Sequence, residues 1–175
     1  MSLEKTAVIT DEITSNAKDK ARQRQLAVLE DDPLHGSELS IGHARLCKCG
    51  PTHINCMSPK DWLKSQIGVW QFLYEARDIR DKSVHPATFP ISLAKKIIEL
   101  FTHEGQLIVD PFIGSGTSLI AANDLNRNAV GFDLQKKYID LCVHRLQKHG
   151  NLFNSCSQIA VQDDARNISK YISSD

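Results

Sequence analysis

One stretch constrains this chain more than any other: Leu107-Ile108-Val109-Asp110-Pro111-Phe112-Ile113-Gly114-Ser115-Gly116-Thr117-Ser118. Its first three residues read as a buried strand that ends in a carboxylate. A Gly-x-Gly turn follows and opens a helix from Thr117 to about Leu125. Such a strand–turn–helix unit forms a ligand cradle, because glycines let a ligand approach the backbone N–H groups at a helix N-terminus. The details narrow the ligand. No Lys-Ser/Thr pair follows the glycines, so the turn is not a phosphate-cradling loop. The third glycine of the dinucleotide fingerprint is absent. Asp110 would repel a pyrophosphate and would attract positive charge in a poorly solvated cleft.

A ligand with an ammonium, a sulfonium and no phosphate, such as S-adenosylmethionine, meets these conditions. The string Asp110 to Thr117 also resembles motif I of the DNA amino-methyltransferases, which methylate N6 of adenine or N4 of cytosine. His85-Pro86-Ala87-Thr88-Phe89-Pro90 resembles their motif X, Gly131-Phe132-Asp133-Leu134 their motif II, and Asp163-Asp164-Ala165-Arg166 their motif III. The four motifs run in family order over roughly residues 80 to 170. The resemblance implies an α/β, Rossmann-like methyltransferase fold. This chain would hold a partial doubly wound sheet, its first three parallel strands with their helices, and a mainly helical N-terminal extension. It also implies that Asp110, Pro111, Phe112, Gly114, Ser115, Gly116, Thr117, Ser118, Asp133 and Leu134 surround S-adenosyl-L-methionine. His85, Pro86, Thr88, Phe89 and Pro90 would lie over its methionine part. Asp164, or failing that Asp163, would receive the adenine amino group.

The local patterns give the elements. Ser58-Pro59-Lys60-Asp61 is a helix start, with Ser as N-cap and Pro at the first helical position. Trp62, Leu63, Ile67, Val69, Trp70, Phe72 and Leu73 form the most aromatic stretch. Core packing is expected of them, with a wall of the base or cofactor pocket as the alternative. Ser92 should cap a helix through about His103, with Leu93, Ile97, Leu100 and Phe101 on one apolar face. Ala129 to Asp133 reads as the second strand, Gln135 to about His149 as a helix, and Gln158 to Gln162 as the third strand. Asp133, 17 residues beyond Gly116, is placed to accept hydrogen bonds from ribose hydroxyls, as a carboxylate ending a second strand does. A bare helix cap is its other reading.

The N-terminal part divides from this region near residue 57, giving an extension over 1–57 and a cofactor-binding part over 58–175. Glu12 to Glu30 carries a thin apolar stripe, Ile13, Ala17, Ala21 and Leu26, compatible with a helix. Residues 41 to 57 hold Cys47, Cys49, His53 and Cys56. Thiolates and imidazole are zinc ligands, but the tight Cys-x-Cys spacing matches no common zinc knuckle. A Gly50-Pro51 turn with incidental thiols is the competing reading.

Composition sets the outer limits. Net charge is zero, so the 175-residue chain lacks the basic excess of an autonomous DNA-binding protein. No apolar run approaches membrane-spanning length and no signal peptide opens the sequence. Five cysteines, an odd number, read as reduced thiols and a cytoplasmic location.

The family's catalytic tetrapeptide, Asp/Ser/Asn-Pro-Pro-aromatic, is missing from these residues. The six prolines include no Pro-Pro pair, so no catalytic residue is assigned. The chemistry needs that motif: its polar groups accept the hydrogens of the exocyclic amine, and its ring stacks on the flipped base. The expectation is therefore the cofactor-binding subunit or fragment of a site-specific DNA methyltransferase of the restriction–modification kind. A second polypeptide would supply the tetrapeptide and target recognition, and DNA would bind the assembled heterodimer. The alternative is an inactive cofactor-binding relic or regulatory module.

Overall fold

The computed structural model describes residues 45–76, 79, 88–149 and 155–172, together with the backbone course of 26–30. Four strands form one parallel sheet: β1 (Leu26–Glu30), β2 (Leu107–Asp110), β3 (Asn128–Asp133) and β4 (Gln158–Gln162), in the order β1-β4-β3-β2. Helices α1 (Pro59–Ser65), α2 (Ile91–Phe101), α3 (Thr117–Asp124) and α4 (Lys136–His149) and a 3-10 turn (Ala165–Lys170) complete the described elements. None of the helices is long and apolar enough to cross a membrane.

The sheet's two faces follow the period-2 alternation of its strands. Ala129 and Ala160 point to the layer built by Ile91, Ala94 and Ile98 of α2, Leu119 to Ala122 of α3, and Ile139, Cys142 and Leu146 of α4. Val130, Phe132, Ile159 and Val161 point the other way, onto Tyr171 of the segment after the 3-10 turn. Small residues on the helix side let α3 lie close to the sheet. Gly131 shows the limit, since a Cβ there would stand 1.7 Å from Ile113 Cγ2.

Four expectations are corrected. First, Leu26–Glu30 is a strand and not the end of a helix. It pairs in register with β4, Leu26 opposite Gln158 and Glu30 opposite Gln162. A run of Leu-Ala-Val-Leu is too short to distinguish helix from strand by period alone, and β4's free edge offers it a full ladder of hydrogen bonds. Residues on both sides of the 57/58 division thus contribute to one sheet; residues 1–25 lie outside the described part. Second, α2 begins at Ile91 after Pro90, with no side-chain cap from Ser92. Third, the buried face of α2 is Ile91, Ala94, Ile98 and Leu100, whereas Ile97 and Phe101 are exposed. The apolar residues there form two overlapping stripes, and packing chose the one that brings Ala94 against α3. Fourth, the aromatic stretch after α1 is not core: Leu63, Ile67, Val69 and Leu73 are all exposed, Leu73 at 87%. Helix α1 itself starts as expected, with Ser58 Oγ accepting from the Asp61 amide at 3.2 Å.

Candidate functional site

The motif-bearing loops meet at the carboxyl ends of the strands, where open parallel sheets bind ligands. Residue Asp110 ends β2, Asp133 ends β3, and Asp163 follows the last residue of β4. Sheet register sets these ends side by side, with Asp110 opposite Gly131 and Asp133 opposite Gln162.

Local geometry explains the glycines. Gly114 and Gly116 sit at φ 49° and 80°, a region that costs any residue with a Cβ. Gly116 is also the N-cap of α3. Both carboxylates knit the turn together. Asp110 Oδ1 accepts from the Phe112 amide at 3.0 Å, and its Oδ2 accepts from the Ser118 hydroxyl. Asp133 Oδ2 accepts from the Gly114 amide at 3.2 Å and Oδ1 from the Gln135 amide at 2.8 Å. A carboxylate has about four lone-pair positions, so each keeps acceptor capacity for a ligand. Phe112 and Leu134 are exposed beside them, at 79% and 66%.

Beneath the turn lies a residue that the sequence did not single out. Arg145 of α4 is 2% exposed. Its Nη1 donates to the Ser115 carbonyl at 2.6 Å, Ser115 Oγ at 2.9 Å and Thr117 Oγ1 at 3.3 Å. Its charge is therefore spent on the loop's inner side. The signal for it was present: position 145 lies between Cys142 and Leu146 on the buried stripe of α4. Burial pushes the neighbouring Cys142 thiol up to about 12, with Arg145 opposing and Asp110 and Asp133 reinforcing the shift.

The structure joins motif X to motif I through Thr88, whose Oγ1 stands 3.2 Å from Ser115 Oγ. Thr88 is buried, its carbonyl accepts from Tyr74 Oη at 3.2 Å, and Phe89 is 40% exposed. Residues His85 and Pro86 lie outside the described part.

The two acids after β4 have different surroundings. Asp163 accepts from the Asp164 amide, Asn167 Nδ2 and Tyr171 Oη at 2.6, 2.9 and 2.7 Å. Burial alone would raise its pKa, but those hydrogen bonds and nearby Lys170 bring it below the usual carboxylate value. Asp164 caps the 3-10 turn and pairs with the exposed Arg166, whose hydrogen bonds lower the carboxyl to about 2.

At the opposite end of the sheet, before β2, a second constellation forms. Cys47, Cys49, Cys56 and His103 bring one ligand atom each within 4.8 Å of one another. His53, expected from the sequence as the fourth member, is replaced by His103, and only its backbone carbonyl takes part. Cys47 is raised by burial but lowered further by hydrogen bonding from Cys49, Cys56 and His103, to about 7. Cys49, hydrogen-bonded to Cys47, is pushed up to about 11.

A parallel α/β sheet with a glycine turn and paired carboxylates at its carboxyl edge is a nucleoside-type binding site without a phosphate clamp. Comparison with known proteins makes the class specific. Residues 6–144 match the family model described as DNA methylase, of the N6/N4 type, and the chain belongs to that family. It is 33% identical over 90 residues to Type II methyltransferase M.HpaI of Haemophilus parainfluenzae, covering 51% of this chain and 29% of that protein. It is 41% identical over 76 residues to Type II methyltransferase M.HindIII of Haemophilus influenzae, covering 42% and 25%. The chain thus matches well under a third of the length of these relatives. Among solved structures it is similar to a DNA modification methylase of Thermus thermophilus, TTHA0409, complexed with S-adenosyl-L-methionine. That similarity has a TM-score of 0.46 at 27% identity, over 59% of this chain and 38% of the other.

Proposed function

We propose that this chain is the S-adenosylmethionine-binding part of a DNA amino-methyltransferase. The observation that carries the reading is the pair Asp110 and Asp133, on adjacent parallel strands, flanking the Gly114–Gly116 turn. The donor set fits the ligand: two carboxylates with spare lone pairs line the carboxyl edge, while the one buried guanidinium of the loop, Arg145, faces inward. Asp110 would meet the ammonium and Asp133 the ribose hydroxyls. When bound, S-adenosylmethionine supplies an electrophilic methyl group on its sulfonium. This chain's part is to bind and orient, since transfer depends on holding the methyl carbon in line between sulfur and amine. Thr88, Phe89 and Pro90, with His85 and Pro86, would border the reactive end.

Of the two acids after β4, Asp164 remains the choice for the adenine amino group. Its clamp to Arg166 is exposed, and such ion pairs are weak. Asp163 already has three protein donors.

The tetrapeptide that activates the base amine, and the surface that reads the DNA, would come from polypeptide outside these residues, in a second chain of a heterodimer. Two features support this. β2 is an edge of the described sheet, with Val109 41% exposed, and a bare apolar edge invites pairing. The apolar stretch Leu63 to Leu73 also lies open, as interaction surfaces do. Whether the target is N4 of cytosine or N6 of adenine follows from that other part.

A competition experiment tests the binding claim. S-adenosylhomocysteine should displace bound S-adenosylmethionine from the purified chain, and NAD and ATP should not. Displacement by NAD or ATP at equal concentration would refute the assignment of the turn.

A further inference from the structure

The cluster of Cys47, Cys49, Cys56 and His103 is not used by the methyl-transfer site. It lies at the amino end of β2, across the sheet from Asp110. Its geometry is that of a tetrahedral metal cage. With metal–sulfur bonds of about 2.3 Å and metal–nitrogen bonds of about 2.0–2.1 Å, a tetrahedral site places sulfur and nitrogen about 3.6 Å apart, and two sulfurs about 3.8 Å apart. Here Cys47 Sγ and Cys56 Sγ stand 3.3 and 3.5 Å from His103 Nδ1. All four ligand atoms fall within 4.8 Å of one another. None of the three thiols is in a disulfide.

The supporting shell is built as well. His103 is 1% exposed. Its Nε2 lies 2.8 Å from the His53 carbonyl, and a carbonyl can only accept. Nε2 therefore carries the proton, and Nδ1 presents its lone pair to the thiols, the arrangement that orients histidine ligands in metal sites. The Glu104 amide donates to Cys56 Sγ at 3.5 Å. Gln106 Oε1 accepts from the His103 amide at 2.6 Å, and the Leu46 amide donates to the Glu104 carbonyl at 2.9 Å. Asn55 Nδ2, buried, donates to the Leu100 carbonyl at the end of α2 at 2.8 Å. Each contact ties residues 46–56 to the segment between α2 and β2.

We propose that Cys47, Cys49, Cys56 and His103 bind one structural zinc ion. Three thiolates and one imidazole suit a borderline-soft, tetrahedral cation. Four protein ligands leave no open position, so the ion is structural and not catalytic. It clasps residues 45–57 onto the root of β2 and closes the chain between Cys56 and His103 into one loop. Because binding energy in such sites is folding energy, the ion stabilises the base of the sheet while leaving the cofactor edge untouched.

The test uses the full chain without a polyhistidine tag, purified in chelator-free buffer. Elemental analysis should find about one zinc per chain. A mercurial that titrates thiols should release it. His53→Ala should keep the zinc, whereas Cys56→Ser and His103→Gln should lose more than nine-tenths of it. Since ligand variants can fail to fold, X-ray absorption at the zinc edge of the unaltered chain gives an independent reading, a shell of three sulfurs and one nitrogen. Three results would overturn the proposal: a chain that holds no zinc after refolding with zinc chloride, a disulfide among the three cysteines under reducing purification, or zinc that follows His53 and not His103.

Discussion

Replacing Gly116 by alanine isolates the packing that shapes the cofactor turn. Gly116 has φ +80°, and an added Cβ would lie 2.2 Å from Cys142 Sγ and 2.9 Å from Cys142 Cβ. Two costs follow. Holding a residue with a Cβ in the left-handed region costs about 1–2 kcal/mol. Forcing extra volume into a packed interior costs about 1–3 kcal/mol more. Gly116→Ala should therefore destabilise the fold by roughly 2–5 kcal/mol, a large share of the ~5–15 kcal/mol that holds a typical domain. A double-mutant cycle separates the parts. Cys142→Ala removes the sulfur at 2.2 Å and leaves the backbone strain in place. In that background Gly116→Ala should cost about 1–2 kcal/mol less, a coupling of the size that contacting residues show. Urea unfolding followed by far-ultraviolet circular dichroism measures all four corners. Equal costs of Gly116→Ala in both backgrounds would refute the packing argument, and a cost below about 1 kcal/mol would refute the strain argument as well.

Other perturbations have equally defined outcomes. Arg145→Met removes three hydrogen bonds to Ser115 and Thr117 from a buried cation. It should cost about 2–4 kcal/mol in urea unfolding and weaken cofactor affinity through a loosened turn, with no change in the affinity if the turn is held by its glycines alone. Asp163 has its folded pKa lowered. Its contribution to stability is therefore present above the unfolded carboxylate pKa and is lost as pH falls through the folded one. Tyr171→Phe, which deletes one of its donors and keeps the ring against Phe132 at 5.5 Å, should move the midpoint of acid unfolding to higher pH; an unmoved midpoint would contradict that linkage. Cys142, fully enclosed with its thiol pushed up to about 12, should resist a thiol reagent in the native state and react only on unfolding.

How much of this was readable in the sequence depends on how local each feature is. The segment from Leu107 to Leu125 was legible because strand, left-handed turn and helix are all encoded within it, by apolar run, glycines and small residues. β3, α4 and β4 were legible for the same reason. The role of β1 was not, because four apolar residues acquire a strand conformation only from the edge of β4. The face of α2 was misread because Ile97 and Phe101 are as apolar as Ile98, and only contact with α3 separates them. Arg145 was hidden by its charge, which usually marks a solvated face. The fourth member of the thiol cluster was out of reach: His103 lies far along the chain from Cys56, and the fold alone carries it there, while nearby His53 offers only its carbonyl.

The account's central claim is that Asp110 and Asp133 frame an S-adenosylmethionine site. Calorimetric titration of the folded 175-residue chain with S-adenosylmethionine, beside its Asp133→Ala variant, tests it most directly. The account predicts saturable binding at one site, weakened at least tenfold by the substitution, a loss of about 1.4 kcal/mol or more. Binding of equal strength by a folded Asp133→Ala variant, or no binding by a folded unaltered chain, would contradict it.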